Sequence, residues 1–493
     1  MLFSSYTFLL LFLPITWGFY RQLQRRQGRR GAIAWLVLAS LVYFGWWNPK
    51  YLLLLGVSIG VNFLVGILLR SSRPPKMRRL MLIAGIGFNL CLLGFYKYAD
   101  FFVESLGSAF GTGWDLGTIV LPIAISFFTF QQVAYLVDAH RNLTHEYSFI
   151  DYVLFVTFFP QLIAGPIVHH AEMLPQFSSG DGARPNSTDL VVGLTIFSLG
   201  LAKKVLLADS LAPQATPVFE AAQAGLTPTV IDAWIASLSY SLQLYFDFSG
   251  YSDMALGLGR MFGIVLPLNF SSPYKSASIV EFWRRWHLTL SRFLRDYLYI
   301  PIGGSRKGRS RRYVNLMATM VLGGLWHGAG WTFVFWGTLH GVYLVLNHAW
   351  ASLGQRLGVL SRWGGRSRRL AAVGLTFLAT VVAWVFFRAE SFGAAFRILT
   401  AMAGSGGDGP VASPLLVAGF WLVLLLPAVF LLPNTQEIMS DYQPALDFVP
   451  GRTTVTRELR FSIGTRWALL VGILLIISIA AMSRTSEFIY YQF

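Results

Sequence analysis

Two histidines carry the first chemical suggestion in this sequence. His327 stands in LGGLWHGAGWT, residues 322–332, and His287 stands forty residues upstream in WRRWHLTLS. Each follows a tryptophan in surroundings where hydrocarbon would make a charge costly. Imidazole titrates near neutrality, and burial favours its neutral form, which accepts a proton from a hydroxyl. His327 therefore reads as a general base, the alternative being a structural hydrogen bond to a neighbouring helix. Glycines at 323, 324, 328 and 330 are expected to leave room for a substrate chain, with Trp326 and Trp331 walling the space. His340 lies thirteen residues beyond His327, and neither has a partner at the i+4 spacing of a helical zinc site. With no HExxH and only one cysteine, Cys91, no metal site is expected and no intrachain disulfide can form. No G-x-S-x-G elbow occurs, and GGSRKG lacks the P-loop spacing.

Two further segments mix polar groups into apolar sequence. QLYFDFSGYSDMALGLG, 243–259, contains Asp247, Tyr251 and Asp253. Carboxylates at membrane depth either face a cavity and pair with a base, or cap a helix end. These three, with Glu281 and Trp326, are second-tier candidates for orienting substrate or fixing a histidine tautomer. The other segment, EFWRRWHLTLSRFLRDYLYIPIGGSRKGRSRR, 281–312, alternates aromatic and cationic residues. As a helix it would have an aromatic and a cationic face and lie along the membrane interface. Its arginines either anchor to lipid headgroups or hold phosphates of an anionic donor, with Arg284, Arg285 and Arg295 the candidates.

The elements that must position these groups are membrane helices. The chain has 493 residues, 55% hydrophobic and 13% charged, a combination that soluble proteins of this length seldom show. Apolar stretches recur from about 3–20 to 467–482 and predict an all-α polytopic membrane protein with about ten to twelve transmembrane or re-entrant helices. Met1–Tyr20 lacks a basic start and a small-residue cleavage site, and reads as the first span. The net charge of +16 does not point to nucleic acid, because the basic residues fall in short clusters between apolar spans. Arg21–Arg30 and Arg70–Arg79 carry five basic residues each, and 266–312 carries ten. The alternation places the N-terminus outside and these clusters in the cytoplasm. Parity then requires one apolar stretch between loops 138–148 and 209–230 not to cross. Phe149–Val168, with Pro160, Gln161, Gly165 and Pro166, is the candidate re-entrant segment. The alternative is a kinked full span there, with 231–265 split in two. No internal repeat is visible, so residues 1–493 read as one membrane domain.

At these motifs the sequence resembles the membrane-bound O-acyltransferase (MBOAT) family, and within it the bacterial alginate and cellulose O-acetyltransferases. The resemblance runs through GFYKYADFF, LPIAISFFTFQQVAYLVD, FFPQLIAGPI, QLYFDFSGYSDMALGLG, EFWRRWHLTLSRFLRDYLYIPIGG, LGGLWHGAGWTFVFWGTLHG and VAWVFFRAES, covering about residues 1–392. It implies a fold around a central channel with a cytoplasmic funnel, core motifs in 281–341, and His327 as the catalytic residue with His287 as its second histidine. It also implies acetyl-CoA as donor substrate, no bound cofactor, and periplasmic acetyltransferase-type partner proteins that complete O-acetylation of an exopolysaccharide at the bacterial inner membrane. The rival reading from the residues alone is a proton-coupled transporter or flippase of a polysaccharide export system.

Overall fold

The computed structural model describes the chain outside residues 71–72, 115, 118, 145–147, 164, 179–185, 358–364, 408–414, 450–454 and 483–493. Among the described residues the regular structure is all helical, with no strand. A π-helical turn, Thr7–Phe12, leads into α1 (Leu13–Arg26), and α2 (Gly28–Gly45) follows after Gln27 alone. The arginine cluster read as a loop is thus mostly helical. Arginine is a good helix former whose long stem carries its charge to water from a helix surface, and Gly28, at φ +73°, makes the turn. Helix α3 (Tyr51–Arg70) is followed by α4 (Pro75–Leu93), a π turn over Gly94–Tyr98, and α5 (Ala99–Phe110). These last three form one continuous stretch of 36 residues. Helix α6 (Ile125–His140) packs against α3 and α4.

The expected re-entrant segment is broken as its prolines and glycine require. Helix α7 (Phe149–Thr157) stops at Phe158, α8 (Phe159–Leu162) makes one turn, and irregular backbone leads to α9 (His170–Ser178). Protein partners satisfy backbone groups that lipid could not. Gln161 Nε2 donates to Phe155 O at 2.6 Å, Phe159 N to Ser40 Oγ at 3.2 Å, and Ile167 N to Thr289 Oγ1 at 3.0 Å.

Helix α10 (Ser187–Ala202), opened by an Asn186/Asp189 capping box, passes through a π turn over Lys203–Ala208 into α11 (Asp209–Gln223). Helix α12 (Val230–Met261) is a single element of 32 residues, so the division of 231–265 into two is not found. At 1.5 Å per residue it is roughly 48 Å long. Every residue from Ser239 to Gly259 is buried, marking it as the central post rather than a lipid-facing span. Helix α10 lies against it where a Cβ on Gly200 would stand 2.6 Å from the Gly250 carbonyl. Small residues permit such approach between membrane helices.

The 281–312 segment is not one helix. It comprises α13 (Ile279–Trp283), α14 (Leu288–Phe293), a π turn over Leu294–Tyr299 and a turn into α15 (Gly308–His327). The interruption is His287 itself, whose φ of 42° is left-handed and cannot continue a helix. The chain continues through α16 (Trp331–Leu357), α17 (Gly365–Arg388), α18 (Phe392–Met402), α19 (Leu415–Leu431), α20 (Thr435–Ile438) and α21 (Thr465–Ala481). Four stretches among the described residues are long and apolar enough to cross a bilayer: Tyr51–Arg70, Pro75–Phe110, Ser187–Gln223 and Gly365–Arg388. Their exposed surface is apolar, as at Leu53 and Leu375, which are 76% and 70% exposed. Lipid is the solvent that fits such side chains.

Candidate active site

His327 is the last residue of α15, and its ring is buried among aromatic faces. Trp336 and Phe387 meet it edge-on with centroids 5.1 and 5.3 Å away, and Trp326 lies at 5.0 Å. A helix end leaves carbonyls without intrahelical partners. Here Lys97, from the π turn after α4, supplies them: its Nζ donates to Trp326 O at 2.5 Å and to His327 O at 3.4 Å. Tyr98 Oη adds a bond to Leu325 O at 2.9 Å. The ammonium at a helix C-terminus also complements the helix dipole. The backbone that presents His327 is therefore fixed by a residue 230 positions away.

His287 is fully buried, and its centroid is 6.5 Å from that of His327. Its left-handed backbone costs about 1–3 kcal/mol for a non-glycine residue and persists only where the surroundings impose it. Asn269 imposes it twice. Its main-chain oxygen accepts from Leu288 N at 3.0 Å, and its side-chain Oδ1 lies 2.9 Å from His287 Nδ1. Phe248 meets the imidazole edge-on at 4.8 Å.

Two cavities approach this pair. One, about 820 Å³, is lined by Arg284, Arg292 and Arg295 together with Glu437 and Asp447, reaches Leu288 and Thr289 beside His287, and is also bordered by Asn434, Gln436 and Phe448. The other, about 950 Å³, reaches Gly328 beside His327 and is lined by Lys97, Gln243 and Arg388, with Asp100, Asp209 and Glu220. The histidines thus lie next in sequence to residues that line two cavities of mixed charge, Leu288 in the first and Gly328 in the second.

The other sequence candidates divide. Arg284 and Arg295 line the first cavity; Arg285 does not, being held by Glu281 at 2.8 Å in an i,i+4 pair and by Ser271 O. Arg295 is also bonded twice to Asp296, which raises its already high pKa. Asp253 accepts from Lys203 and Thr435 at 2.7 Å and from Gln436 at 2.6 Å. Asp247 pairs with Lys204 at 2.8 Å, and Lys204 also meets Asp209 at 2.6 Å. Both aspartates thus neutralise adjacent lysines of a π turn, and none of the bonds described for them reaches a histidine. Tyr251 stacks on Phe3 at 4.7 Å. Trp326 stacks on Phe130 at 5.1 Å, under the Lys97 ammonium. Of the glycines, Gly328 and Gly330 line the second cavity, whereas Gly324 is spent on helix packing: a Cβ there would stand 3.0 Å from Gly337 Cα on α16.

Lys97 and Asn269 were not singled out from sequence, and Arg292 is one of the arginines of 281–312 outside the three named candidates. Lys97 interrupts an apolar run in GFYKYADFF, the same signal that marked the aspartates. Arg292 is bound by Glu172 at 2.6 Å and Asp447 at 3.2 Å. Burial raises the pKa of Glu172, and the Arg292 charge works against it. Asn269 gave no signal at all. Among the described residues no group of three or more His, Cys, Asp or Glu could hold a metal ion.

A polytopic helical membrane protein with a buried histidine pair between two polar cavities is the class that fold and site define. The chain belongs to the membrane-bound O-acyltransferase (MBOAT) family, whose model matches residues 114–363. It is 43% identical over 436 residues to a peptidoglycan O-acetyltransferase of Helicobacter pylori, covering 83% of this chain and 80% of that one. It is also 43% identical over 410 residues to a probable alginate O-acetylase of Pseudomonas aeruginosa, covering 82% and 75%. The corresponding protein of Pseudomonas putida is 39% identical over 522 residues and the full length of both chains. The chain is an acyltransferase, not a proton-coupled transporter of an export system.

Proposed function

We propose that the protein is an O-acetyltransferase of a bacterial inner membrane that carries acetyl groups from cytoplasmic acetyl-CoA outward for O-acetylation of an exopolysaccharide. An alginate-type polymer is the first choice and cellulose the next, with periplasmic acetyltransferase-type proteins as partners. The relatives named for O-acetylation support the reaction. The observation that carries the site is the pair of buried histidine rings, 6.5 Å apart, between the two cavities. In this reading the N-terminus is periplasmic, the arginine-lined cavity faces the cytoplasm, 149–168 is re-entrant, 281–341 is the catalytic core, and the whole chain is one membrane domain.

The donor's phosphates lie along Arg284, Arg292 and Arg295 and its thioester points toward His287. The acceptor hydroxyl enters through the cavity beside Gly328. His327 takes the hydroxyl proton as the oxygen attacks the thioester carbonyl; the carbon–sulfur bond breaks, and the thiolate recovers the proton from His327. His287 either orients the substrate or stabilises the oxyanion. The test is His327→Ala in purified protein supplied with acetyl-CoA and a hydroxyl acceptor. Removal of the general base is expected to lower turnover by about 10²–10⁴-fold at unchanged membrane abundance. Full transfer by that variant would sink the mechanism.

A further inference from the structure

We infer that Asn269 is a positioning residue that locks His287 as its Nδ1–H tautomer, so that His287 offers substrate a hydrogen-bond-accepting Nε2 and orients a hydroxyl rather than stabilising an oxyanion. This rests on the acetyl-transfer reading for its role and on geometry for the tautomer.

The geometry starts from a donor that cannot be reassigned. The backbone N–H of Thr289 points at Asn269 Oδ1 from 3.5 Å, and a backbone N–H only donates. The carboxamide atom facing it must therefore be the oxygen, because the flipped amide would set two donors against each other. Two neighbours agree. Thr289 Oγ1, which accepts from Ile167 N at 3.0 Å, gives its own proton to Asn269 Oδ1 at 2.9 Å. On the other side Asn269 Nδ2 donates to Ser252 Oγ at 3.2 Å.

With Oδ1 fixed as an acceptor, the His287 Nδ1 at 2.9 Å must carry a proton. In a neutral imidazole the other nitrogen then has the lone pair. Phe248 at 4.8 Å and Phe270 at 6.4 Å meet the ring as aromatic faces, and neither is a counter-charge that would favour a doubly protonated ring. Lys97 is occupied with carbonyls at the end of α15. An Nε2 lone pair repels an oxyanion and accepts from a hydroxyl, and this chooses between the two roles open to His287. The same asparagine also holds the His287 main chain in its left-handed conformation through Leu288 N, so ring orientation and backbone are set by one residue.

The experiment is nitrogen NMR on full-length protein labelled with 15N-histidine in lipid nanodiscs, His287 being assigned by the signals lost in His287→Gln. A protonated Nδ1 with an unprotonated Nε2 is expected; a protonated Nε2 with an unprotonated Nδ1 overturns the inference. This spectrum decides without any variant at Asn269. In Asn269→Leu the tautomers should mix and kcat fall about tenfold, the order of one lost hydrogen bond, with the acetyl-CoA KM held. In Asn269→Asp, which keeps an acceptor, Nδ1–H should remain. An unchanged spectrum in Asn269→Leu would remove the positioning role. Should wild-type protein transfer no acetyl group, the reaction falls while the tautomer still stands or falls on its own spectrum.

Discussion

Gly323 and Gly324 are adjacent and chemically identical, yet the structure assigns them opposite tolerances. A Cβ on Gly323 would meet Leu294 Cδ1 at 3.1 Å, the far end of a side chain that can rotate away. A Cβ on Gly324 would press into the Phe333 carbonyl and stand 3.0 Å from Gly337 Cα, both backbone of α16. Close-packed backbones do not yield like rotamers, so α15 and α16 must separate by about 1 Å to admit the methyl group. His327 lies three residues further along α15, within the same final turn. A displacement of about 1 Å in a reacting geometry costs about 10²-fold in rate, or roughly 2.7 kcal/mol of barrier. Gly324→Ala should therefore lower kcat for acetyl transfer about 100-fold, and Gly323→Ala by no more than about threefold, roughly 0.6 kcal/mol of barrier, because the Leu294 side chain can give way. Both are to be measured in nanodiscs under saturating acetyl-CoA, with detergent melting curves alongside. Overpacking should also destabilise Gly324→Ala by about 1–3 kcal/mol. Wild-type kcat in Gly324→Ala, or a larger loss in Gly323→Ala, would refute the view that this contact sets the catalytic geometry.

Lys97→Met should remove a charged hydrogen bond worth about 1.5–3 kcal/mol from the end of α15, lowering the melting temperature and kcat together; unchanged kcat would show that His327 is positioned without it. Arg284 lines the first cavity, so Arg284→Ala should raise the acetyl-CoA KM about tenfold at constant kcat. Arg295→Ala should have a smaller effect because Asp296 already holds that guanidinium. Both effects should shrink at high salt, and a KM that ignores both substitutions would detach the cavity from the donor.

The residues that were legible in the sequence are those whose chemistry conflicts with their surroundings. An imidazole or carboxylate in apolar sequence declares a reason for being there, and His327, His287, Asp247 and Asp253 all proved buried. What they pair with was not legible, because Lys203 and Lys204 lie some fifty and forty residues from their aspartates, brought there by packing of α10 on α12. The Glu281–Arg285 pair is local, at i,i+4, and could have been read from spacing. Asn269 was invisible for a different reason: an asparagine in LPLNF is common turn chemistry, and only its bond to an imidazole eighteen residues later gives it a role. The glycines around His327 misled in part, since a missing side chain looks the same whether it makes room for substrate or for another helix.

The first cavity is assembled from two unequal parts of the chain. Its arginines come from 284–295, inside the stretch that the family model matches, whereas Asn434, Gln436, Glu437, Asp447 and Phe448 lie beyond it. Thr435 and Gln436 bond to Asp253, and Leu446 N to Leu266 O, so this late segment is anchored to the core while facing the cavity. The wall of this cavity is thereby drawn from two passages of the chain, one beside the imidazoles and one more than a hundred residues later. On the reading proposed above, substitutions at Glu437, Asp447 or Phe448 would reshape that wall while the arginines and both imidazoles keep their places.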